Sequence, residues 1–286
     1  MASFDGIRCG GGAGGRWEAA IGRPDLGLGG LVVGYRGFCE SAGGPVVRRE
    51  LPASGLVLLI SLGEPLSLVR GGRGGAAAAA ALVGVGREGV EAAHGGAQRV
   101  LEVRLSPLAA GVCFGVPASE LAESVVDVAE FWPDAGELVE LLRGDSGWAE
   151  RFERIEAILG ARAERGRAAD PVLAGSWRQV TDRRGDLGIG VLHEQTGWSR
   201  KRLAQRFRAE IGLPPKAMAN LVRFEHAVGL LRCPNVGSLA EVALRCGYYD
   251  QAHLNREFKE YAGCTPTAFL DGLDNDASGA AMAAAG

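Results

Sequence analysis

Two copies of one residue pattern, about fifty positions apart in the last third of the chain, constrain its fold more than any other feature. The first copy contains Gly197, Trp198, Ser199, Leu203, Phe207, Gly212 and Pro215, and the second contains Gly247, Tyr248, Tyr249, Asp250, Leu254, Phe258, Gly263 and Pro266. The first pair of glycines is 50 positions apart and every later pair is 51 apart, so the second turn holds one extra residue. Repetition of this kind indicates one supersecondary unit used twice.

Each copy can be built as a helix-turn-helix from local physical chemistry. Gly197 can end one helix in the left-handed conformation at little steric cost, and Ser199 can then cap the N–H groups of the next helix. Leu203 and Phe207 are four residues apart, so they share one helix face and can pack on the preceding helix. The same roles in the second copy fall to Gly247, Asp250, Leu254, Phe258 and Gly263. The pattern predicts a recognition helix at roughly 200–210 and a second one a repeat later.

The outer faces of these two helices carry side chains of the types that read DNA. The predicted DNA-binding residues are Arg200, Lys201, Arg202, Gln205 and Arg208 in the first copy and Gln251, His253, Asn255, Arg256 and Lys259 in the second. Arg, Lys, Gln and Asn pair with base edges in the major groove, and Lys and Arg also neutralise phosphates. One such face alone is usually a solvated helix surface. Two cationic faces in register, each behind a cap, favour DNA binding.

This region resembles the tandem helix-turn-helix domain of the AraC/XylS family of bacterial transcription regulators, over residues 171–270. The matching positions are Gly197, Ser199, Leu203, Phe207, Gly212, Pro215, Met218, Arg223, Phe224, Ala227, Leu230, Leu231, Ala243, Gly247, Tyr248, Phe258, Gly263, Thr265 and Pro266. Three residues depart from the family pattern. His193 stands where the family prefers a small residue, and Met218 and Leu270 replace its usual aromatic and basic residues. None of these departures removes a recognition helix. The resemblance implies base contacts at a subset of the predicted residues, namely Lys201, Gln205, Gln251, His253 and Arg256.

The function implied by the resemblance is sequence-specific regulation of transcription, as an activator in most of the family. The expected partner is double-stranded DNA, and RNA polymerase, a small-molecule effector in the N-terminal domain and a second copy of the chain are further candidates. No cofactor is expected. The alternative is a small-molecule- or protein-binding module whose helical domain lacks specific DNA binding. Lys201 and Arg256 argue against it, because a degenerate domain has no reason to keep cations on both reading faces.

Charge is distributed unevenly along the 286 residues, although the net charge is only −3. Residues 171–270 carry 14 Lys or Arg against 9 Asp or Glu, residues 1–170 carry 17 against 22, and the last sixteen carry none against 3. The three segments therefore have net charges of +5, −5 and −3. The positive segment coincides with the helix-turn-helix pattern, where it would attract phosphate.

An α+β chain with two domains and a tail is predicted. Residues 1–165 form a sensor or dimerisation domain, 171–270 the all-α DNA-binding domain, and 271–286 a disordered tail, with a flexible linker at 161–170. Runs of branched residues predict short strands at 31–35, 46–51, 56–62, 66–70, 82–85 and 99–105. They indicate a small antiparallel barrel or sandwich, and the family resemblance implies a cupin-like domain. The low-complexity stretch 71–81 predicts a mobile loop.

Two features of the first domain leave alternatives open. After Pro107 the pattern becomes helical, and an apolar stripe follows helical spacing at Trp148, Phe152, Ile155 and Leu159. This stripe packs either on its own domain or on a second copy of the chain. The interior of the barrel, lined by Leu and Val, either holds an apolar ligand or is a filled core.

An enzyme is not expected. Residues 84–89 fit the pattern G-x-G-x-x-G, but Gly95 and Gly96 interrupt the helix that a phosphate-binding loop needs after it. The four histidines have no metal-ligand spacing. The six cysteines contain no Cys-x-x-Cys pair, which is typical of thiols in a reducing compartment. The N-terminus lacks an apolar signal core and no run is long enough to cross a bilayer, so a cytoplasmic protein with no membrane partner is expected.

Overall fold

The computed structural model describes residues 2–12, 15–25, 27–233 and 235–275. The strands are β1 (Ser3–Gly12), β2 (Gly15–Arg23), β3 (Val32–Ala42), β4 (Val46–Glu50), β5 (Leu56–Ser61), β6 (Leu66–Arg70), β7 (Arg73–Ala78), β8 (Ala80–Val83), β9 (Val90–His94), β10 (Ala97–Leu105) and β11 (Val125–Asp127). The helices are α1 (Ala118–Leu121), α2 (Ala135–Gly144), α3 (Trp148–Arg165), α4 (Pro171–Asp182), α5 (Ile189–Thr196), α6 (Arg200–Ile211), α7 (Pro215–Leu231), α8 (Leu239–Arg245), α9 (Gln251–Ala262) and α10 (Pro266–Asn275).

The strands form two antiparallel sheets, with the order β1-β2-β3-β10-β5-β8-β11 in the larger and β4-β9-β6-β7 in the smaller. Leu68 of the smaller sheet and Val83 and Val100 of the larger one share an apolar core between the sheets. Among the described residues neither sheet closes into a barrel, because the edge strands β1 and β4 each pair with only one neighbouring strand. The predicted α+β class with an N-terminal β domain and a C-terminal helical domain is confirmed, but the β domain is an open pair of sheets.

Strand β10 separates two environments. Leu101, Val103 and Leu105 are buried in the core that the helices after the sheet also enter. The alternate residues Glu102 and Arg104 lie on the opposite face and line a cavity next to the smaller sheet. The alternation of side chains along 99–105 predicts one buried face and one solvated face. The buried face is confirmed, whereas the polar face borders the cavity.

All six predicted strands are present, as β3, β4, β5, β6, β8 and β10. The hairpin of β1 and β2, which pairs from Ser3 and Arg23 to Gly12 and Gly15, is absent from the predicted strands. Its glycines carry no side-chain alternation, so periodicity cannot reveal it. The mobile loop predicted at 71–81 is wrong, because β7 pairs with β6 and β8 pairs with β5. Backbone hydrogen bonds make a ladder there without help from large side chains.

Helix α3 packs on the larger sheet and settles one of the open alternatives. Trp148, Phe152, Ile155 and Leu159 are all buried within the chain, so the apolar stripe packs on its own domain. The ring of Phe152 stacks on Tyr35 of β3 with 5.6 Å between centroids. The predicted flexible linker is wrong up to Arg165, where α3 ends. Arg162 holds this last turn, since its Nε donates to the carbonyl of Cys113 at 3.0 Å.

The C-terminal domain begins with α4, whose N-cap Asp170 accepts hydrogen bonds from two backbone N–H groups of the first turn. Helix α10 ends at Asn275 and so includes the first five residues of the predicted tail, and 276–286 lie outside the described residues. Within the part of the chain that the structure describes, no helix combines the length and apolar character of a membrane span.

Candidate nucleic-acid interface

The first helix-turn-helix consists of α5, a tight turn and α6. Gly197 has a φ of 65° and its N–H donates to the carbonyl of His193, so it ends α5 in the predicted left-handed conformation. The side chain of Ser199 accepts a hydrogen bond from the N–H of Arg202 at 3.2 Å and caps α6 as predicted. The imidazole of His193 contacts the carbonyl oxygen of Trp198, which ties the turn to α5.

The second unit repeats this geometry with α8 and α9. Ser238 and Glu241 form a reciprocal capping box at the start of α8. Gly247 in the turn has a φ of 71°. The carboxylate of Asp250 then accepts from the N–H of His253 at 2.7 Å, which confirms the predicted cap of α9.

Both recognition helices present apolar residues to a common core. Leu203 and Phe207 of α6 are buried, as is the equivalent pair of α9, Leu254 and Phe258. Helix α7 joins the two units, and its Phe224 lies 5.2 Å from Phe258 between ring centroids. Packing on shared helices therefore orients the opposite faces of α6 and α9 toward the surface.

Most of the predicted DNA-binding residues lie on those outer faces. The exposed ones are Arg200, Lys201, Arg202, Gln205, Arg208, Gln251, Arg256 and Lys259. His253 and Asn255 are half-buried. In the described part of the chain Lys201, Arg208, Arg256 and Lys259 form no ion pair with an acidic side chain. Their charges are therefore available to a phosphate backbone.

Two other residues of this surface are already occupied by local contacts. The Nδ1 atom of His253 accepts from the N–H of Tyr249 at 3.4 Å, and its Nε2 lies 3.4 Å from the carboxylate of Glu257. Arg206, which was not a predicted contact, binds Asp170 at 2.7 Å and Glu210 at 2.6 Å. Arg206 therefore links α6 to the start of α4. A contact between His253 and DNA would have to accommodate the two contacts that His253 already makes.

A buried carboxyl group lies on the inner face of α9, and the sequence pattern does not predict it. Glu257 is 7% exposed, and neither of its carboxylate oxygens accepts a hydrogen bond from the described residues. Burial raises the pKa of Glu257, and the nearby charge of Arg223 on α7 opposes that shift. The equivalent position of the first unit is Arg206, so the repeat alone does not indicate a buried acid here.

Replacing this acid should increase stability near neutral pH. A raised pKa means that the folded state holds a proton that the unfolded state releases, so stability falls as pH rises from the ordinary value of 4.5 through the raised one. Glu257→Gln lacks this penalty. We expect urea unfolding between about pH 5 and about pH 8 to show an advantage for the variant that grows with pH. A constant difference, or a loss of stability that grows with pH, would contradict this.

A cavity of about 1090 Å³ lies between the two sheets and α7. Apolar residues of both sheets line one part of it, including Leu59, Leu66, Leu68, Val83 and Val100. Charged residues line another part, among them Arg36, Glu50, Arg70, Glu102, Arg104 and Arg232. The interior is therefore partly open, not a fully filled core. Since α7 belongs to the helical domain, this wall of the cavity was missed when the two domains were considered separately.

Glu225 of α7 joins the helical domain to the sheets at the edge of this cavity. Its carboxylate accepts hydrogen bonds from the N–H of Ser54 at 3.1 Å and from Nη2 of Arg104 at 3.2 Å. The hydroxyl of Ser54 donates to the same carboxylate. The contact lies beside the cavity, so α7 both forms a wall of the cavity and binds the sheet domain there.

Comparison with known proteins finds matches for the helical region. Residues 192–272 match the model of a helix-turn-helix domain of the AraC type. The HTH-type transcriptional regulator MtrA of Neisseria gonorrhoeae is 34% identical over 68 residues, which cover 24% of this chain and 22% of MtrA. An uncharacterized HTH-type transcriptional regulator of Staphylococcus aureus strain MSSA476 is 30% identical over 84 residues, or 29% of this chain and 11% of that protein. The chain thus spans less than a quarter of each of these relatives.

Two solved structures are also similar. ToxT from Vibrio cholerae is 10% identical, with a TM-score of 0.49 over 83% of this chain and 97% of ToxT. The xylose-binding transcription activator XylR is 25% identical, with a TM-score of 0.33 over 38% of this chain and 29% of that one.

Proposed function

We propose that this chain, whose residues 192–272 are a helix-turn-helix domain of the AraC type, is a sequence-specific DNA-binding transcription regulator. The observation that carries the proposal is the pair of recognition helices, α6 and α9, with matching caps and unpaired cations on exposed faces in the described residues. Each would enter the major groove, and together they would read two segments on one side of the duplex. Activation through RNA polymerase is the direction that the resemblance to AraC-type regulators favours.

Side-chain chemistry indicates which residues of each recognition helix would contact bases and which would contact phosphates. Gln205 and Arg256 occupy equivalent positions and have the donors and acceptors that pair with purine edges. Arg208 and Lys259 are also equivalent and lie one turn further along, where a cation would contact the phosphate backbone. We assign base contacts to the first pair and phosphate contacts to the second.

Selection of binding sites from random duplex DNA by the full-length protein tests the proposal. We expect a two-part motif whose halves lie roughly 10 base pairs apart, one helical turn, because one monomer carries two recognition helices. The matched control is the protein with Gln205→Ala and Arg256→Ala together, which should still bind DNA at low salt but select no motif. Wild-type protein that binds all sequences equally would contradict sequence-specific regulation.

The cavity between the sheets supports a second element of the function, control by a small molecule. Its volume and its combination of apolar and charged walls suit a small amphipathic molecule better than a purely apolar one. We propose that such an effector binds there. Its site would include α7, so the bound molecule would contact the helix that joins the two DNA-reading units.

Removing Lys259 should weaken DNA binding without changing its sequence preference. An unpaired cation near a phosphate releases about one counterion when the complex forms. For Lys259→Ala we therefore expect the plot of log affinity against log salt to lose about one unit of slope on every sequence tested. Fluorescence anisotropy with a specific and a scrambled duplex measures both quantities. A change of base preference with an unaltered slope would assign Lys259 to a base.

A further inference from the structure

The segment 84–89, which fits G-x-G-x-x-G, has a structural use that differs from phosphate binding. It connects β8 to strand β9, so no helix follows it. A Cβ atom on Gly84 would lie 1.6 Å from the carbonyl oxygen of Leu121, and one on Gly89 would lie 2.2 Å from that of Glu50. A Cβ on Gly86 would meet the carboxylate of Glu123 at 2.6 Å. The glycines are needed because other parts of the chain approach the backbone closely.

The residues that follow α1 hold this segment, which we call the glycine loop, in one conformation. The N–H of Gly84 donates to the carbonyl of Ser124 at 3.0 Å, and the N–H of Glu123 donates to the carbonyl of Val85 at 2.8 Å. The N–H of Arg87 donates to the carboxylate of Glu123 at 3.1 Å. The glycine loop is therefore a fixed element of the sheet domain.

The glycine loop touches the C-terminal end of both recognition helices. At the end of α6, a Cβ on Gly212 would lie 3.5 Å from the Cβ of Val85, and α1 packs beside it. At the end of α9, the carboxylate of Glu260 lies 4.0 Å from the guanidinium of Arg87. Val85 and Arg87, two residues apart in one short segment, thus lie next to the C-terminal ends of both recognition helices.

Arg70 connects this arrangement to the cavity. Its side chain is 6% exposed and lines the cavity, while its Nη2 donates to the carbonyl of Gly84 at 3.0 Å and its Nη1 to that of Ser124 at 3.3 Å. Its Nε has no hydrogen-bond partner in the described residues. A group in the cavity that bound this Nε would act on the side chain that fixes the start of the glycine loop.

We propose that the glycine loop holds the two recognition helices at one separation and so sets the spacing between the halves of the DNA site, with Arg70 as its link to the cavity. This inference rests on the proposed function. Val85 and Arg87 are positioning residues, since they act on DNA through α6 and α9. The positions that the loop approaches lie toward the C-terminal ends of the helices, seven residues after Gln205 and four residues after Arg256, so the loop variants leave the base-reading side chains themselves unchanged.

A spacing series tests the proposal with full-length protein and no added ligand. The selected two-part motif is prepared with its natural spacing and with one base pair added or removed, and a further duplex keeps only one half of the motif. We expect wild-type affinity to fall about tenfold when the spacing changes, within the usual range of coupling between two sites. For Val85→Ala combined with Arg87→Ala, the same change should cost about threefold or less.

Control measurements distinguish a role of the glycine loop in positioning the helices from a general loss of folding. Affinity for the single half-site should be equal in wild type and variant, because the recognition faces are untouched. Arg87→Lys, which keeps the charge, should behave as wild type, and so should Arg23→Ala, which removes an exposed ion pair with Asp5 at the far edge of the larger sheet. Arg70→Lys cannot bridge two carbonyls as a guanidinium does, and should lose spacing discrimination as the loop variant does.

The outcomes are distinct. An identical spacing penalty in wild type and in the loop variant, with equal half-site affinity, overturns this inference and leaves the proposed function intact. Wild-type protein that selects no two-part motif overturns the proposed function and the inference with it. A reduced penalty in the loop variant but not in Arg70→Lys supports the role of the loop and removes the link to the cavity.

Discussion

Phe258→Ala is expected to destabilise the C-terminal domain by about 3–5 kcal/mol and to abolish specific DNA binding. Phe258 is fully buried at the centre of this domain. Its ring meets Phe224 of α7 at 5.2 Å and Phe269 of α10 at 5.5 Å, so it joins three helices. Truncation removes these contacts and leaves a cavity that rigid helices cannot close.

Urea unfolding followed by circular dichroism, together with binding to the selected duplex, measures both effects. Phe4→Ala is the matched control, because it makes the same truncation at a phenylalanine that is 41% exposed on β1. We expect it to cost about 1 kcal/mol or less and to leave DNA binding unchanged. Equal losses of stability in the two variants would show that α9 does not depend on this core.

Arg256→Ala should reduce affinity for the selected site by about 1–3 kcal/mol and relax the preference at one base pair. The guanidinium is exposed on α9 and has no acidic partner in the described residues, so it is free for a bidentate contact with guanine. We expect affinity to fall only for sites with the preferred base at that position, because the variant and the wild type should bind sites with the other bases equally weakly. Repeating the site selection with the variant identifies the base pair concerned.

Two comparisons decide whether Arg256 reads a base. Arg256→Lys keeps the charge but loses the planar fork, so it should recover phosphate attraction and not base preference. Arg23→Ala removes an arginine that is remote from both recognition helices and should leave affinity and preference unchanged. An equal loss of affinity on all sequences would reassign Arg256 to a phosphate.

The helical domain could be predicted in detail because its signals are local. Gly197 and Gly247 end helices, Ser199 and Asp250 start them, and each of these roles depends on a few neighbouring residues. Leu203 and Phe207 are close in sequence as well as in space. Periodicity and caps therefore define the elements, although they do not indicate which half-buried residues, such as His253, already have partners.

The sheet domain could be predicted only where side chains alternate. Strand β10 has a clear alternation from Leu101 onward, whereas the hairpin of β1 and β2 depends on backbone pairing between residues up to twenty positions apart. The glycine loop shows a different limit. Its glycines form a recognisable pattern, but the reason for them is the approach of Leu121 and Glu123, which the local sequence does not contain.

The shared wall of the cavity was beyond sequence analysis for the same reason. Arg36, Glu102 and Arg232 come from β3, from β10 and from the residue after α7, and only the tertiary fold brings them to one space. Composition indicates an apolar barrel interior. The structure instead shows an interior with both apolar and ionic surfaces, which changes the class of molecule that would fit.

The position of α7 has a consequence for how such a regulator could be modified or could evolve. Phe224, Val228 and Leu231 line the cavity, and the same helix joins the two helix-turn-helix units, so residues 1–165 alone do not enclose the cavity. A chimera that joined residues 1–165 to a foreign DNA-reading domain would bring only part of the cavity wall. Under the proposed function, new ligand specificity would have to be built with residues of both halves together, and we expect substitutions on the inner face of α7 to alter effector binding and DNA binding at once.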